Sequence, residues 1–168
     1  MVITDENWIT SFLLNLQPDY KGRYYHDILG CSDKVMEECH DQVQWMFPLH
    51  EESNFAMTYP ILNAQLVEKL KDNAYIITNI TRAIHRMSDF YGFPTNDRNK
   101  QRLWCKDSDH NLLRITRIIR CARFFGLDDE ATEFYDKAVE ASHYFCISNV
   151  TRAYWWRAQH EELYKSLK

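Results

Sequence analysis

At 168 residues with 45% hydrophobic and 14% aromatic content, the chain can build one domain that buries roughly two thirds of the surface exposed when unfolded. Four glycines and four prolines are too few for the many turns of an all-β fold and favour helices joined by few connections. The net charge of −4 excludes a uniformly basic nucleic-acid or membrane-surface protein, although Arg98 to Arg123 holds eight basic residues against two acids, leaving the remainder strongly acidic.

Five cysteines with no CxxC pair give neither a disulfide framework nor a zinc signature. The acidic start MVITDENW does not read as a signal peptide, which would need a basic start and an apolar stretch, and no apolar run reaches bilayer length. The expected setting is cytoplasmic and not secreted. The two sequons at Asn79 and Asn149 then read as chance matches on helices.

Helical spacing of Trp8, Ile9, Phe12, Leu13 and Leu16 predicts a first helix over about 5–16, capped by Thr4 and stopped before Pro18. A turn of helix is expected at 26–29. A second long helix follows from a cap at Ser32 or Asp33 to Phe47, closed by Pro48. On it His40 and Gln44, four apart, share the edge of the stripe formed by Met36, Cys39, Val43, Met46 and Phe47. Residues 48–62, with Asn54, Phe55 and Tyr59, read as a long connection.

Helices are expected over about 63–71 and 73–93, the latter ended by Gly92 and Pro94. Residues 95–107 read as polar loop. Ser108 or Asp109 caps the next helix, which ends at Gly126 and carries arginines at 114, 117, 120 and 123. A three-residue repeat drifts around the cylinder, and Leu113 and Phe124 within the basic half imply cover on that side too. Its arginines are therefore expected against carboxylates or in a pocket. Helices over about 129–146 and 149–167 finish the chain, the last with Trp156, Leu163, Tyr164 and Leu167 inward. This gives an all-α, bundle-like array of six to eight helices in a single domain, residues 1–168.

No Gly-rich phosphate loop, nucleophile elbow or nucleotide fingerprint is present. His40–Gln44 is not a HExxH pair, because an amide is a poor zinc ligand, and Cys39, Cys105 and the histidines do not assemble a nucleophile in sequence. No catalytic residue, metal or cofactor is assigned.

Two stretches exceed generic helix. Residues 40–48, HDQVQWMFP, and residues 110–127, HNLLRITRIIRCARFFGL, with Phe90-Tyr91-Gly92 between them, resemble the motifs of the conserved N-terminal domain of the opioid growth factor receptor family, over about 25–160. Gln42 and Val43 stand where that family often has Tyr and Ile. The resemblance implies an all-α domain akin to short, single-domain members of the family, whose animal receptors are named for an enkephalin peptide and associate with the nuclear envelope. His40, Gln44, Trp45, Asn54, Arg86, His110, Asn111, Arg114 and Arg117 match the family pattern.

The resulting expectation is a non-enzymatic binding protein whose polar, arginine-lined pocket lies between the second helix and the 109–126 helix. Its partner is an unknown peptide, protein or anionic small molecule. In it Arg114 and Arg117 pair with the anion, His40 and His110 exchange hydrogen bonds, Gln44 and Asn111 orient the ligand, and Trp45 supplies an apolar wall. The alternatives are a nucleic-acid-associated protein using Arg98 to Arg123 and an uncharacterised enzyme using the two histidines.

Overall fold

The computed structural model describes residues 1–52 and 58–163. The fold is helical, with ten helices and one two-stranded sheet among the described residues. The chain divides into two compact units, Met1–Ala83 and Ile84–Lys168.

In the first unit, α1 (Glu6–Leu13) is capped by Asp5 rather than Thr4, the Asp5 carboxylate accepting from the N–H groups of Asn7 and Trp8. It stops three residues earlier than the spacing predicts, because Asn15 turns into the left-handed region at φ 60° and Leu16 is left exposed. Next come α2 (Tyr25–Leu29) and, in place of one long helix, α3 (Asp33–Glu38) and α4 (Asp41–Met46). Ser32 caps α3 through Val35 N–H as expected. The break at Cys39 (φ −97°, ψ 88°) restarts the helix so that Asp41 falls in its first turn, where the N-terminal dipole favours an acid. All six residues of α4 are buried.

The 48–62 connection contains a strand that the sequence reading lacks. β1 (Val2–Ile3) pairs in parallel with β2 (Tyr59–Pro60), in register Val2 to Tyr59 and Ile3 to Pro60. Asn54 and Phe55 lie outside the described residues. α5 (Ala64–Leu70) is capped by Asn63. α6 (Ala74–Tyr91) begins at the Asn73 carboxamide, which accepts from the N–H groups of Tyr75 and Ile76. Asn79, a sequon residue, is buried and donates to Leu13 O at 2.8 Å while its Oδ1 meets His26 Nε2 at 3.0 Å. Its amide already has a structural use.

In the second unit Gly92 ends α6 at φ 70°, where an added Cβ would meet Lys100 Cβ at 2.9 Å; only glycine fits. The stretch read as polar loop is in fact α7 (Arg98–Trp104), capped by Asp97. It folds because Trp104 and Gln101 are buried, Trp104 donating its indole N–H to Tyr91 O at 3.2 Å. Its ring lies edge-on to Tyr91 and Phe93, which also pack on Phe134.

Three longer helices complete this unit: α8 (His110–Phe124), α9 (Asp128–Tyr144) and α10 (Asn149–His160). α8 packs on α7, α9 and α10, the central place expected of it. Leu113 is nevertheless exposed, and Phe124 alone of that pair is covered. On α10 the buried ring is Trp155, donating to Leu112 O at 2.9 Å. Trp156, read as inward, stands half exposed and stacks on His160. The outcome is a one-residue error in helical phase. Tyr164 and Leu167 lie outside the described residues.

Candidate functional site

The first family-like segment anchors the interior of the first unit. Asp41 is buried, and its Oδ2 accepts from Tyr20 Oη at 2.7 Å and Arg23 Nη2 at 2.9 Å, with Lys21 Nζ at 2.9 Å. Arg23 also donates from Nε to Asp19 Oδ2 at 2.7 Å, and Asp19 Oδ1 takes the backbone N–H groups of Lys21 and Arg23. Burial by itself pushes the Asp41 carboxyl up, but the hydrogen bonds from Arg23, Tyr20 and Lys21 outweigh it and hold the group down at about 2. Sequence reading missed Asp19, Tyr20, Lys21, Arg23 and Asp41 as a set, since no short spacing joins residues 19–23 to 41.

Of the residues singled out there, His40 is exposed at the break before α4, and Gln44 is buried. Trp45 is fully buried among Trp8, Phe12 and Tyr20, with its indole N–H on Thr58 O at 3.1 Å. Asn54 lies outside the described residues.

The second segment opens α8. Asp109 Oδ1 accepts from both the backbone N–H and the side-chain Nδ2 of Asn111, at 2.9 and 3.0 Å. Asn111 is wholly buried, and its Oδ1 accepts from Tyr91 Oη at 3.2 Å and Arg114 Nη1 at 3.1 Å. His110 Nε2 lies 3.4 Å from Asn111 Nδ2. The structure thus joins His110, Asn111 and Arg114 through one amide, with Arg114 only 7% exposed. Arg117 and Arg120 are half buried on the same helix, and Arg86 is half buried on α6.

Other basic residues of Arg98 to Arg123 are engaged within the unit. Arg98 lies 4.2 Å from the Tyr144 ring and 3.3 Å from Glu140. Lys100 donates to Asp89 O. Arg123 donates to Ala158 O and Glu161 O at 2.6 and 3.0 Å, and desolvation draws its pKa down, partly offset by Asp128.

A cleft of about 300 Å³ lies in the second unit between α6 and the first turns of α9. Buried Ile84, Phe93 and Phe134 form its floor, and the carboxylates of Asp89, Glu130 and Glu133 reach its more exposed margin. The residues Glu130, Glu133, Phe134 and Lys137 follow i, i+3, i+4, i+7 spacing and so share one face of α9. That spacing was the available sequence signal, hidden because acids at a helix start are ordinary.

The buried thiols are poor nucleophiles. Burial pushes Cys105 up to about 12, and Cys121 higher still, against the smaller opposing pull of nearby arginines, so both stay protonated at neutral pH. No described helix is long and apolar enough to cross a membrane.

A helical fold with polar groups locked inside each of two sequence motifs defines a structural class of domain. Residues 13–142 match the family profile described as the opioid growth factor receptor (OGFr) conserved region, and the chain belongs to that family. It is similar to the opioid growth factor receptor of Mus musculus, 32% identical over 106 residues, covering 56% of this chain and 16% of that protein. The Homo sapiens receptor is 32% identical over 121 residues, covering 64% of this chain and 18% of its own length. Opioid growth factor receptor-like protein 1 of Xenopus tropicalis is 30% identical over 105 residues, covering 56% of this chain and 20% of its own. The chain therefore spans a fifth or less of the length of these curated relatives. No solved structure matches it significantly.

Proposed function

We propose that residues 1–168 act as one non-enzymatic binding domain that takes a peptide or an anionic small molecule on polar, arginine-bearing residues of the family motifs. The observation that carries this reading is the Tyr91–Asn111–Arg114 chain, which fixes a guanidinium that is almost wholly buried. A guanidinium held by a side-chain amide is preorganised, and its fork suits carboxylate or phosphate. Arg117 and Arg86, half buried, supply further positive charge, with His110 and Asn111 as hydrogen-bonding partners. His40 and Gln44, in the first unit, are separate polar candidates from the first signature, as is Asn54, which lies outside the described residues. Trp45, being enclosed, serves by shaping α4.

The word receptor in the relatives' names belongs to those proteins and supports ligand binding here. On this reading the setting is cytoplasmic, as expected from the sequence, and the family likeness supports a nuclear or perinuclear association. Nucleic-acid binding through Arg98 to Arg123 has less support, because Arg98, Lys100 and Arg123 already donate to protein acceptors.

Titrating the full chain with a tetraglutamate peptide at low salt, followed by amide NMR, tests the reading. Shifts should localise to α8, and Arg117→Glu with Arg86→Glu should weaken binding about tenfold or more, as expected for lost charge-assisted hydrogen bonds. No binding, or binding indifferent to both reversals in a folded variant, rejects it. A preference for a single-stranded oligonucleotide, steeply salt-dependent and sensitive to Arg120 and Arg123, selects the nucleic-acid alternative.

A further inference from the structure

The α6–α9 cleft has the opposite character from the arginine-bearing helix. Its floor is apolar, from Ile84, Phe93 and Phe134, each no more than 3% exposed. Its margin holds the three carboxylates of Asp89, Glu130 and Glu133. The one lysine lining it, Lys137, has Glu140 Oε2 at 3.6 Å, so its charge is partly answered outside the lining set. His85, Ser88 and Pro94 complete the wall.

A volume of about 300 Å³ stands at the low end of ligand pockets. It suits one long side chain better than an extended small molecule. Lysine and arginine combine an apolar stem with a cationic head, and bury the stem while the head stays with polar groups. An aromatic floor adds attraction for a cation lying over a ring face. An anion would meet three like charges here.

We infer that the cleft between α6 and α9 is a docking site for a basic segment of a partner protein, one arginine or lysine side chain lying on Ile84, Phe93 and Phe134 with its head among Asp89, Glu130 and Glu133. The site is separate from the arginines of the functional proposal, and each can fail while the other stands.

The test uses the full chain with labelled isoleucine methyl groups and the hexapeptide Gly-Arg-Gly-Arg-Gly-Arg at low salt. The Ile84 methyl should shift and saturate, and the peptide with citrulline for arginine should leave it in place. The near-isosteric triple variant D89N/E130Q/E133Q should weaken binding about tenfold or more, since each lost charge-assisted contact carries a sizeable share of affinity. Lys137→Gln, which removes the competing cation, should tighten it. An unmoved Ile84, equal binding by citrulline peptide or by the triple variant, or a stronger response to tetraglutamate overturns the inference. So does an Ile84 shift that depends on protein concentration without peptide, which would assign the face to a second copy.

Discussion

The two family-like segments solve the same problem with different chemistry. Around α4, the buried Asp41 carboxylate is stabilised by a set of formal charges: Arg23 and Lys21 face it, and Asp19 shares Arg23. At the start of α8, the buried centre is the neutral amide of Asn111, saturated by Asp109, Tyr91 and Arg114. Charged interior networks hold their geometry through strong, pH-dependent contacts, and collapse expensively when one member is removed. Removing the amide at the second centre forfeits three side-chain hydrogen bonds but leaves no charge created or cancelled at that position. Motifs that look equally polar in sequence should therefore respond very differently to mutation and to acid.

Breaking the charged centre should give the largest effect. Arg23→Leu leaves Asp19 and Asp41 buried with their main cation gone, and should lower stability by about 3 kcal/mol, as for a severed buried ion pair. Urea unfolding at pH 7 measures it. A loss below that of the Asn111 variant would erase the contrast between the segments.

Acid comes next. The Asp41 carboxyl lies at about 2 in the folded protein against 3.8 for its ordinary value. Its contribution is therefore complete above pH 3.8 and disappears as the pH falls from there to about 2, a loss on the order of 2 kcal/mol. A series of urea midpoints through that window should show the slope, and Asp41→Asn should flatten it.

The smallest change belongs to the amide. Asn111→Ala should cost about 1.5 kcal/mol through the hydrogen bonds that Tyr91 Oη, Arg114 Nη1 and Asp109 Oδ1 lose. The slope of stability against pH between 2 and 4 should match that of the parent chain, measured by the same unfolding series. A changed slope would mean that the second segment is also governed by ionisation.

Local signals carried much of the fold. Asn63, Asn73, Asp109 and Ser148 all start helices where their types and spacing indicate. α7 was hidden because Arg98–Trp104 has two apolar residues, Leu103 exposed and Trp104 buried; one indole and a buried Gln101 anchor it, which periodicity does not register. The break at Cys39 was also illegible. Continuous apolar spacing favours one helix, while the ion set around Asp41 favours a restart, and that set depends on a contact between residues 23 and 41. Trp156 and Trp155 show the limit from the other side, since adjacent identical residues leave helical phase undetermined. At the site level, the Asp109–Asn111–Arg114 relation follows from the i, i+2 and i, i+3 spacing of a helix start. The Tyr91 hydroxyl and the α6–α9 cleft arise only from tertiary packing.

The short parallel sheet imposes an order of events during synthesis. Met1 O and Ile3 O accept the N–H groups of Tyr59 and Ile61, so β1 has no partner within the sheet until the growing chain has reached Ile61. Closing so wide a loop is entropically slow. α1 is therefore complete in the growing chain before the Val2–Ile3 edge can pair, and that edge stays open to a competing strand until residues 59–61 arrive.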